Sequence, residues 1–337
     1  MLSALAVAEA LRERGAYVTL AGSPDRVEAR LVPDAGYELD TFRVAGFPRQ
    51  PSPALLKSLV LAGAAPAACR RILRRRRPDA VLGAGGYVAG PMVVAAASMR
   101  IPAAISEADA HLGLANRLAL PFARRAFLAY PLDGRLGPKY RVVGRPIPER
   151  ARPLPRDEAR EIFELPPEGP VLLVAGALAG ARSLNDLVLE AFGEVGPAIL
   201  HVSGERDFPS LRRRVSRDDY RLVPSTERIG AAYAAADLVL SRAGSGVWEL
   251  AAAGKPAILV PYPFATADHQ RKNAEYFVRA GGAIMVPELE LADVPELVRS
   301  MLDDPERLAE MGAAMLRVAR PYAAEDVADG LVELAAA

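Results

Sequence analysis

Polar residues suited to holding a phosphorylated, sugar-bearing ligand gather between positions 241 and 274. The run reads Ser241-Arg242-Ala243-Gly244-Ser245-Gly246-Val247-Trp248-Glu249, then a stretch of small residues, an apolar run at 257–260, and a polar loop with Asp268-His269-Gln270 and Asn273. This order predicts strand, glycine turn, helix, strand and loop. Open parallel sheets bind ligands just beyond the carboxyl ends of their strands, so Ser241, Ser245, Glu249, Asp268 and Gln270 are predicted to face one crevice. A carboxylate at Glu249, five residues after Gly244, can accept hydrogen bonds from a ligand, although the dipole of the new helix also favours an acid in its first turn. Arg242 either points into the crevice or caps a strand end. His269 either transfers protons or braces its loop. Trp248, among alanines, reads as core.

Two other glycine-rich turns follow strands and precede helices, at 83–91 and 174–182. In each, backbone amides at a helix N-terminus can receive a phosphate, while the same glycines also permit tight strand-to-helix packing. Neither matches the dinucleotide fingerprint with its acidic residue some 20 positions on, nor the Lys-Ser/Thr of a P-loop. Dehydrogenase and nucleotide-triphosphatase chemistry are therefore disfavoured.

These turns need two domains to carry them, and 337 residues with 51% hydrophobic and 25% charged residues supply enough chain for two cores. Apolar runs alternate with amphipathic helical stretches, the pattern of parallel α/β sheets. Strands are predicted at 18–22, 80–82, 103–106, 125–129 and 141–143, and again at 171–175, 198–203, 220–223, 238–241, 257–260 and 283–286. The prolines of 144–155 favour an extended connector. The resulting division is a first Rossmann-like domain over 1–148, a second over 149–319, and a C-terminal helix over 320–337 that returns to the first. Two such domains facing a central cleft would make a GT-B architecture.

The net charge of +1 hides a division: residues 1–150 carry 22 basic and 12 acidic side chains, and the remainder carries 20 and 29. Such asymmetry points the first half toward an anionic partner. Leu55, Leu56 and Leu59 have helical spacing beside Lys57, with Arg74 and Arg75 in the basic run that follows. An apolar ridge edged by cations can lie on an anionic membrane surface, or the ridge can be buried with the arginines solvated. No aromatic residues interleave with the basic cluster, which argues against nucleic acid. The single cysteine, Cys69, has no disulfide partner in the chain, and cytoplasm is the expected compartment. No apolar run reaches the roughly 20 residues needed to span a bilayer.

Taken together, 83–91, Glu107 with Gly113, Leu114 and Asn116, Val143-Gly144 with Pro146, 176–185 and 242–274 resemble the MurG family of peptidoglycan N-acetylglucosaminyltransferases over nearly the whole chain. The resemblance implies transfer, with inversion, of N-acetylglucosamine from UDP-N-acetylglucosamine to the muramyl O4 of undecaprenyl-linked lipid I, giving lipid II at the cytoplasmic face of the cell membrane, with neither metal nor cofactor. It implies donor contacts from Arg145, Gly176, Gly180, Arg182, Thr226, Arg242, Gly244, Ser245, Glu249, Asp268, His269, Gln270 and Asn273. Acceptor contacts fall to Gly85, Gly86, Tyr87, Glu107, Asp109 and Asn116.

Several positions depart from the family pattern. Arg145 stands where asparagine is usual. The acceptor motif His-Glu-Gln-Asn reads Ser106-Glu107-Ala108-Asp109, and Gly-Gly-Ser-x-Gly-Ala reads Gly176-Ala177-Leu178-Ala179-Gly180-Ala181. Members also open with a strand and a Gly-Gly-Thr-x-Gly-His loop that supplies the proposed base, whereas residues 1–8 here align with the helix after it. The expectation is a gene product that begins further upstream. As written, the chain offers Glu107, Asp109 or His111 as base. The alternatives to lipid II synthesis are another inverting GT-B transferase acting on a glycolipid or small metabolite, and a non-catalytic UDP-sugar-binding paralogue.

Overall fold

The computed structural model describes residues 1–44, 53–176 and 181–337, with the backbone alone over 53–64. The chain divides into two compact units, Met1–Pro148 with Pro321–Ala337 and Glu149–Arg320.

The first unit contains α1 (Leu2–Glu13), β1 (Thr19–Gly22), α2 (Glu28–Asp34), β2 (Glu38–Thr41), α3 (Pro53–Arg76), β3 (Val81–Gly83), α4 (Gly86–Ser98), β4 (Ala103–Glu107), α5 (Leu114–Ala119), β5 (Arg125–Leu128) and β6 (Tyr140–Val142). Strands β3-β4-β5-β6 form one parallel sheet in that order, and β1 pairs with β2 in a separate parallel ladder. Side chains alternate across the four-stranded sheet. Ile105, Ala126 and Leu128 face α3 and α4, in a core that includes Cys69. Ala104 and Phe127 face Val7 of α1 and Val327, Leu331 and Leu334 near the C-terminus. A Cβ at Gly330 would stand 2.6 Å from the Phe127 ring, so glycine there permits the last helix to reach the sheet.

The second unit contains α6 (Arg156–Ile162), β7 (Val171–Ala175), α7 (Arg182–Phe192), β8 (Ala198–Val202), α8 (Phe208–Leu211), β9 (Tyr220–Val223), α9 (Ile229–Ala235), β10 (Leu238–Ser241), α10 (Val247–Ala252), β11 (Ala257–Leu259), α11 (His269–Arg279), β12 (Ala283–Met285), α12 (Val294–Leu302) and α13 (Pro305–Val318), while α14 (Ala323–Ala336) belongs to the first unit. Its six strands run parallel in the order β12-β11-β10-β7-β8-β9. Buried on both faces, β7 and β10 read as continuous apolar runs. The structure places eleven strands at the runs read from sequence, each boundary within one residue. It adds β2, which is short, largely polar and held by long-range pairing of its buried Asp40 with Arg75 and Arg76.

Two buried polar groups set the interior of the second unit. The Arg160 guanidinium donates to the carbonyls of Ala235, Pro166, Pro167 and Gly169 and to Asp237 Oδ2 at 2.9 Å, and Asp237 Oδ2 also accepts the Val171 amide at 2.8 Å. Breaking a buried ion pair leaves an uncompensated charge. Asp237→Ala should therefore destabilise the protein by roughly 3 kcal/mol in denaturant unfolding, and a loss under ~1 kcal/mol would contradict this role.

His201, fully buried on β8, has its ring pushed down to about 4 from 6.5 by burial. Its folded-state value is depressed, so it binds protons more readily when unfolded. Stability is complete above about pH 6.5 and falls as pH drops toward 4, by about 3 kcal/mol at pH 4. The stability-versus-pH curve of His201→Gln should lack this component; superimposable curves would refute it.

Candidate functional site

All strand ends of the second unit's sheet emerge on one edge because its ladders are all parallel. That edge receives Gly176 after β7, Ser203 after β8, Arg242 after β10, Val260 after β11 and, at its rim, the N-terminus of α7. The turn after β10 has an open position: a Cβ at Gly244 would meet no atom within 4 Å. One turn into α10, the buried Glu249 carboxylate accepts the Tyr233 hydroxyl at 3.0 Å. Trp248, beside it, is core, packed on Tyr276 and Phe277. Asn273 is fully buried and donates to the Ala243 carbonyl at 3.3 Å, so it ties α11 to the turn instead of presenting its amide at the surface.

Arg242 serves a purpose that the sequence left open. Its guanidinium pairs with Glu288 through two nitrogens, donates to Ser183 Oγ at 2.8 Å and to the Val260 carbonyl at 3.3 Å, and lies 5.7 Å from the Tyr262 ring centroid. It thereby laces the ends of β10 and β11 to the start of α7. Burial pushes the Glu288 carboxyl up, but hydrogen bonds from Arg242 and Ser183 outweigh that and hold it below its ordinary value. The Gly176 side of the edge is tight: a Cβ there would lie 2.5 Å from that of Ala181, so this glycine serves close packing. Gly180 lies outside the described residues.

The loop polar residues are mostly braced. The Gln270 side chain accepts the Tyr262 amide at 2.9 Å. His269 donates from Nδ1 to the Thr266 carbonyl at 2.8 Å, because a carbonyl can only accept. Asp268, in a left-handed conformation, pairs with Arg271. Thr226 Oγ1 accepts the Arg228 amide at 3.0 Å before α9. Ser245 is partly exposed in the glycine turn. Arg182, the first residue of α7, has a side chain 70% exposed and sits 3.5 Å from Asp207.

In the first unit, Gly85 and Gly86 both have positive φ before α4, a conformation that favours glycine, and Tyr87 follows exposed. Glu107 ends β4 in a buried nest. Its Oε1 accepts the amides of Ala108 and Asp109 at 3.0 and 3.3 Å, and its Oε2 accepts Gly113 N at 2.8 Å and Asn116 Nδ2 at 3.0 Å. Burial raises its carboxyl, opposed by these bonds. Four donors on one carboxylate make Glu107 the organiser of the 108–113 loop. Asp109 and His111, partly exposed, ride on that loop. Arg145 is buried in this unit, apart from the other donor-side candidates in sequence and in unit.

The ridge residues Leu55, Leu56 and Leu59 have side chains outside the described residues. Arg74 is exposed, whereas Arg75 and Arg76 pair with Asp40, so part of that basic run is neutralised. Sequence reasoning assigned no role to Ser183, Tyr233, Asp207 or Glu288. Asp207 and Glu288 follow strand ends, which was the available signal. Among the described residues, no group of three His, Cys, Asp or Glu side chains is placed to hold a metal ion.

The model of the glycosyltransferase family 28 N-terminal domain matches residues 1–128, and that of the family's C-terminal domain matches residues 171–328. A UDP-N-acetylglucosamine–N-acetylmuramyl-(pentapeptide) pyrophosphoryl-undecaprenol N-acetylglucosamine transferase from Halothermothrix orenii is 35% identical over 340 residues, covering 95% of this chain and 92% of that protein. The structure of Acinetobacter baumannii MurG aligns over 98% of this chain and 95% of its own, with TM-score 0.78 and 28% identity. A calicheamicin glycosyltransferase aligns with TM-score 0.69 at 18% identity, over 98% of this chain and 94% of its own, a likeness of fold alone. The fold is GT-B. With the two domain models matching residues 1–128 and 171–328, and a transferase of this name matching 95% of its length at 35% identity, the chain belongs to the MurG family of glycosyltransferases.

Proposed function

We propose that this protein transfers N-acetylglucosamine from UDP-N-acetylglucosamine to the muramyl O4 of undecaprenyl-linked lipid I, with inversion, forming lipid II. The observation that carries the donor half is the pairing of an open Gly244 with the buried Glu249 carboxylate at one strand end. Backbone can approach a ligand closely at that glycine, and the carboxylate is aligned by Tyr233 to accept ribose hydroxyls. Arg182, exposed at the N-terminus of the eleven-residue α7, supplies charge for the diphosphate. Arg242, neutralised by Glu288, positions the turn.

Inversion requires one displacement. The acceptor O4 attacks the sugar C1, the bond from C1 to the diphosphate oxygen breaks, and UDP departs with the electron pair. The O4 proton passes to a side chain on the loop that Glu107 organises, Asp109 or His111, in keeping with a general base held within hydrogen-bond reach. Glu107 itself, with four donors, is a positioning group. Gly85, Gly86, Tyr87 and Asn116 are assigned to the acceptor side, and Gln270 and Asp268 to the donor sugar.

The anionic membrane partner is assigned to the first unit. Leu114, Leu118 and Phe122 recur every four residues along α5 and the turn after it, and all are exposed, Leu118 at 59%. Arg117 and Arg124 are exposed beside them. Lys139 Nζ donates to the Leu120 carbonyl at 2.7 Å, which brings a further cation to this segment. Cation-edged apolar surface of this kind favours peripheral attachment to an anionic leaflet, here the cytoplasmic face. No helix among the described residues is long and apolar enough to cross a membrane.

Incubation with UDP-N-acetylglucosamine and a lipid I analogue should yield the disaccharide product and UDP. Tight UDP binding without turnover would instead identify a UDP-sugar-binding paralogue, and turnover with a different acceptor would identify another transferase. Glu249→Ala should weaken UDP binding by about 10- to 100-fold in calorimetry, the loss of hydrogen bonds to a charged group; an unchanged dissociation constant removes its ribose role. Leu118→Glu with Phe122→Glu should abolish sedimentation with phosphatidylglycerol vesicles and leave UDP binding intact. Vesicle binding that persists in this double variant would reject the α5 stripe.

A further inference from the structure

A buried polar chain runs through the second unit from Tyr220 on β9 to His201 on β8, Asn185 on α7 and Asp207 ahead of α8, and the transfer as proposed makes no use of it. Tyr220, His201, Asn185 and Asp207 are all buried. The Asn185 amide nitrogen lies 2.9 Å from the Ser203 carbonyl and 3.1 Å from Asp207 Oδ2, two groups that only accept. Its Oδ1 therefore faces His201 Nε2, 2.9 Å away, which must carry the hydrogen. His201 Nδ1 is then a lone pair and accepts the Tyr220 hydroxyl at 2.8 Å. Every donor and acceptor along the chain is thus fixed in one direction, ending on a carboxylate.

That carboxylate is where the chain reaches the surface. Asp207 accepts two hydrogen bonds from Arg206, at 2.7 and 2.8 Å, and its Oδ1 lies 3.5 Å from Arg182 Nη2. Asn185 and Arg182 are three residues apart on α7 and share a face. Polar groups buried in place of apolar ones carry a desolvation cost unless fully bonded, and this set is fully bonded only because each member holds the next.

We propose that Tyr220, His201, Asn185 and Asp207 form a positioning relay that presets Arg182 for the donor diphosphate. The proposal rests on the assignment of Arg182 to that diphosphate. An exposed arginine loses rotamer freedom when it engages a ligand, and a guanidinium already steered by Asp207 loses less. The relay therefore acts on donor affinity, and the displacement step is left nearly unchanged.

The test is calorimetric and kinetic. His201→Leu should raise the UDP dissociation constant and the KM for UDP-N-acetylglucosamine about 5- to 20-fold with kcat altered less than twofold, whereas His201→Gln, whose amide can replace the Nε2 hydrogen, should return both to within about twofold of the parent. A purely structural His201 would lower the melting temperature and leave KM and the dissociation constant unmoved, and that result overturns the relay. Should His201→Leu fail to fold, Tyr220→Phe decides: a two- to fivefold weaker UDP affinity supports the relay, and parental affinity overturns it. Arg182→Ala separates the two layers. If it leaves UDP affinity unchanged, the assignment of Arg182 is wrong and the relay falls with it. If it weakens UDP while His201→Leu and Tyr220→Phe do not, only the relay is wrong.

Discussion

Parallel pairing is the constraint on which the rest of this molecule depends. Every ladder among the described residues is parallel, so each strand must be re-entered from the same end after a crossover, usually of helix and loop. The carboxyl ends therefore share one edge of each sheet, and the helices that follow start there with their amides pointing outward. In the second unit this brings residues from 176 to 288 to a single rim, although more than a hundred positions of sequence separate them.

Much of the charge at that rim braces the chain. Arg242 and Glu288 neutralise one another and lace three elements, and Asp207 holds two arginines. Glu107 in the first unit has its oxygens occupied by loop amides and Asn116. Glu249 accepts the Tyr233 hydroxyl beside a turn with open space.

Much of the fold was legible because buried parallel strands are short apolar runs between glycine turns, and the ladders followed those runs within a residue. Strand β2 was not, because Glu38, Asp40 and Thr41 carry no apolar signal and the pairing that stabilises Asp40 lies some 35 positions away. The location of the glycine turn and Glu249 was likewise readable from local order. The duties of Arg242, Asn273 and Glu107 were not, since each is defined by partners distant in sequence or by how many donors converge on it. His201 carried no signal at all in the chain: a lone histidine in an apolar strand reveals its tautomer only once Asn185 and Tyr220 are placed around it.

Cys69 is the only cysteine in the chain, and it lies wholly buried on the inner face of α3, its thiol pushed up to about 12 by burial. A folded molecule consequently presents almost no thiolate to an alkylating reagent. Labelling can proceed only through molecules whose helix has lifted from the sheet, so the sole sulfhydryl is a native clock for excursions of the first unit.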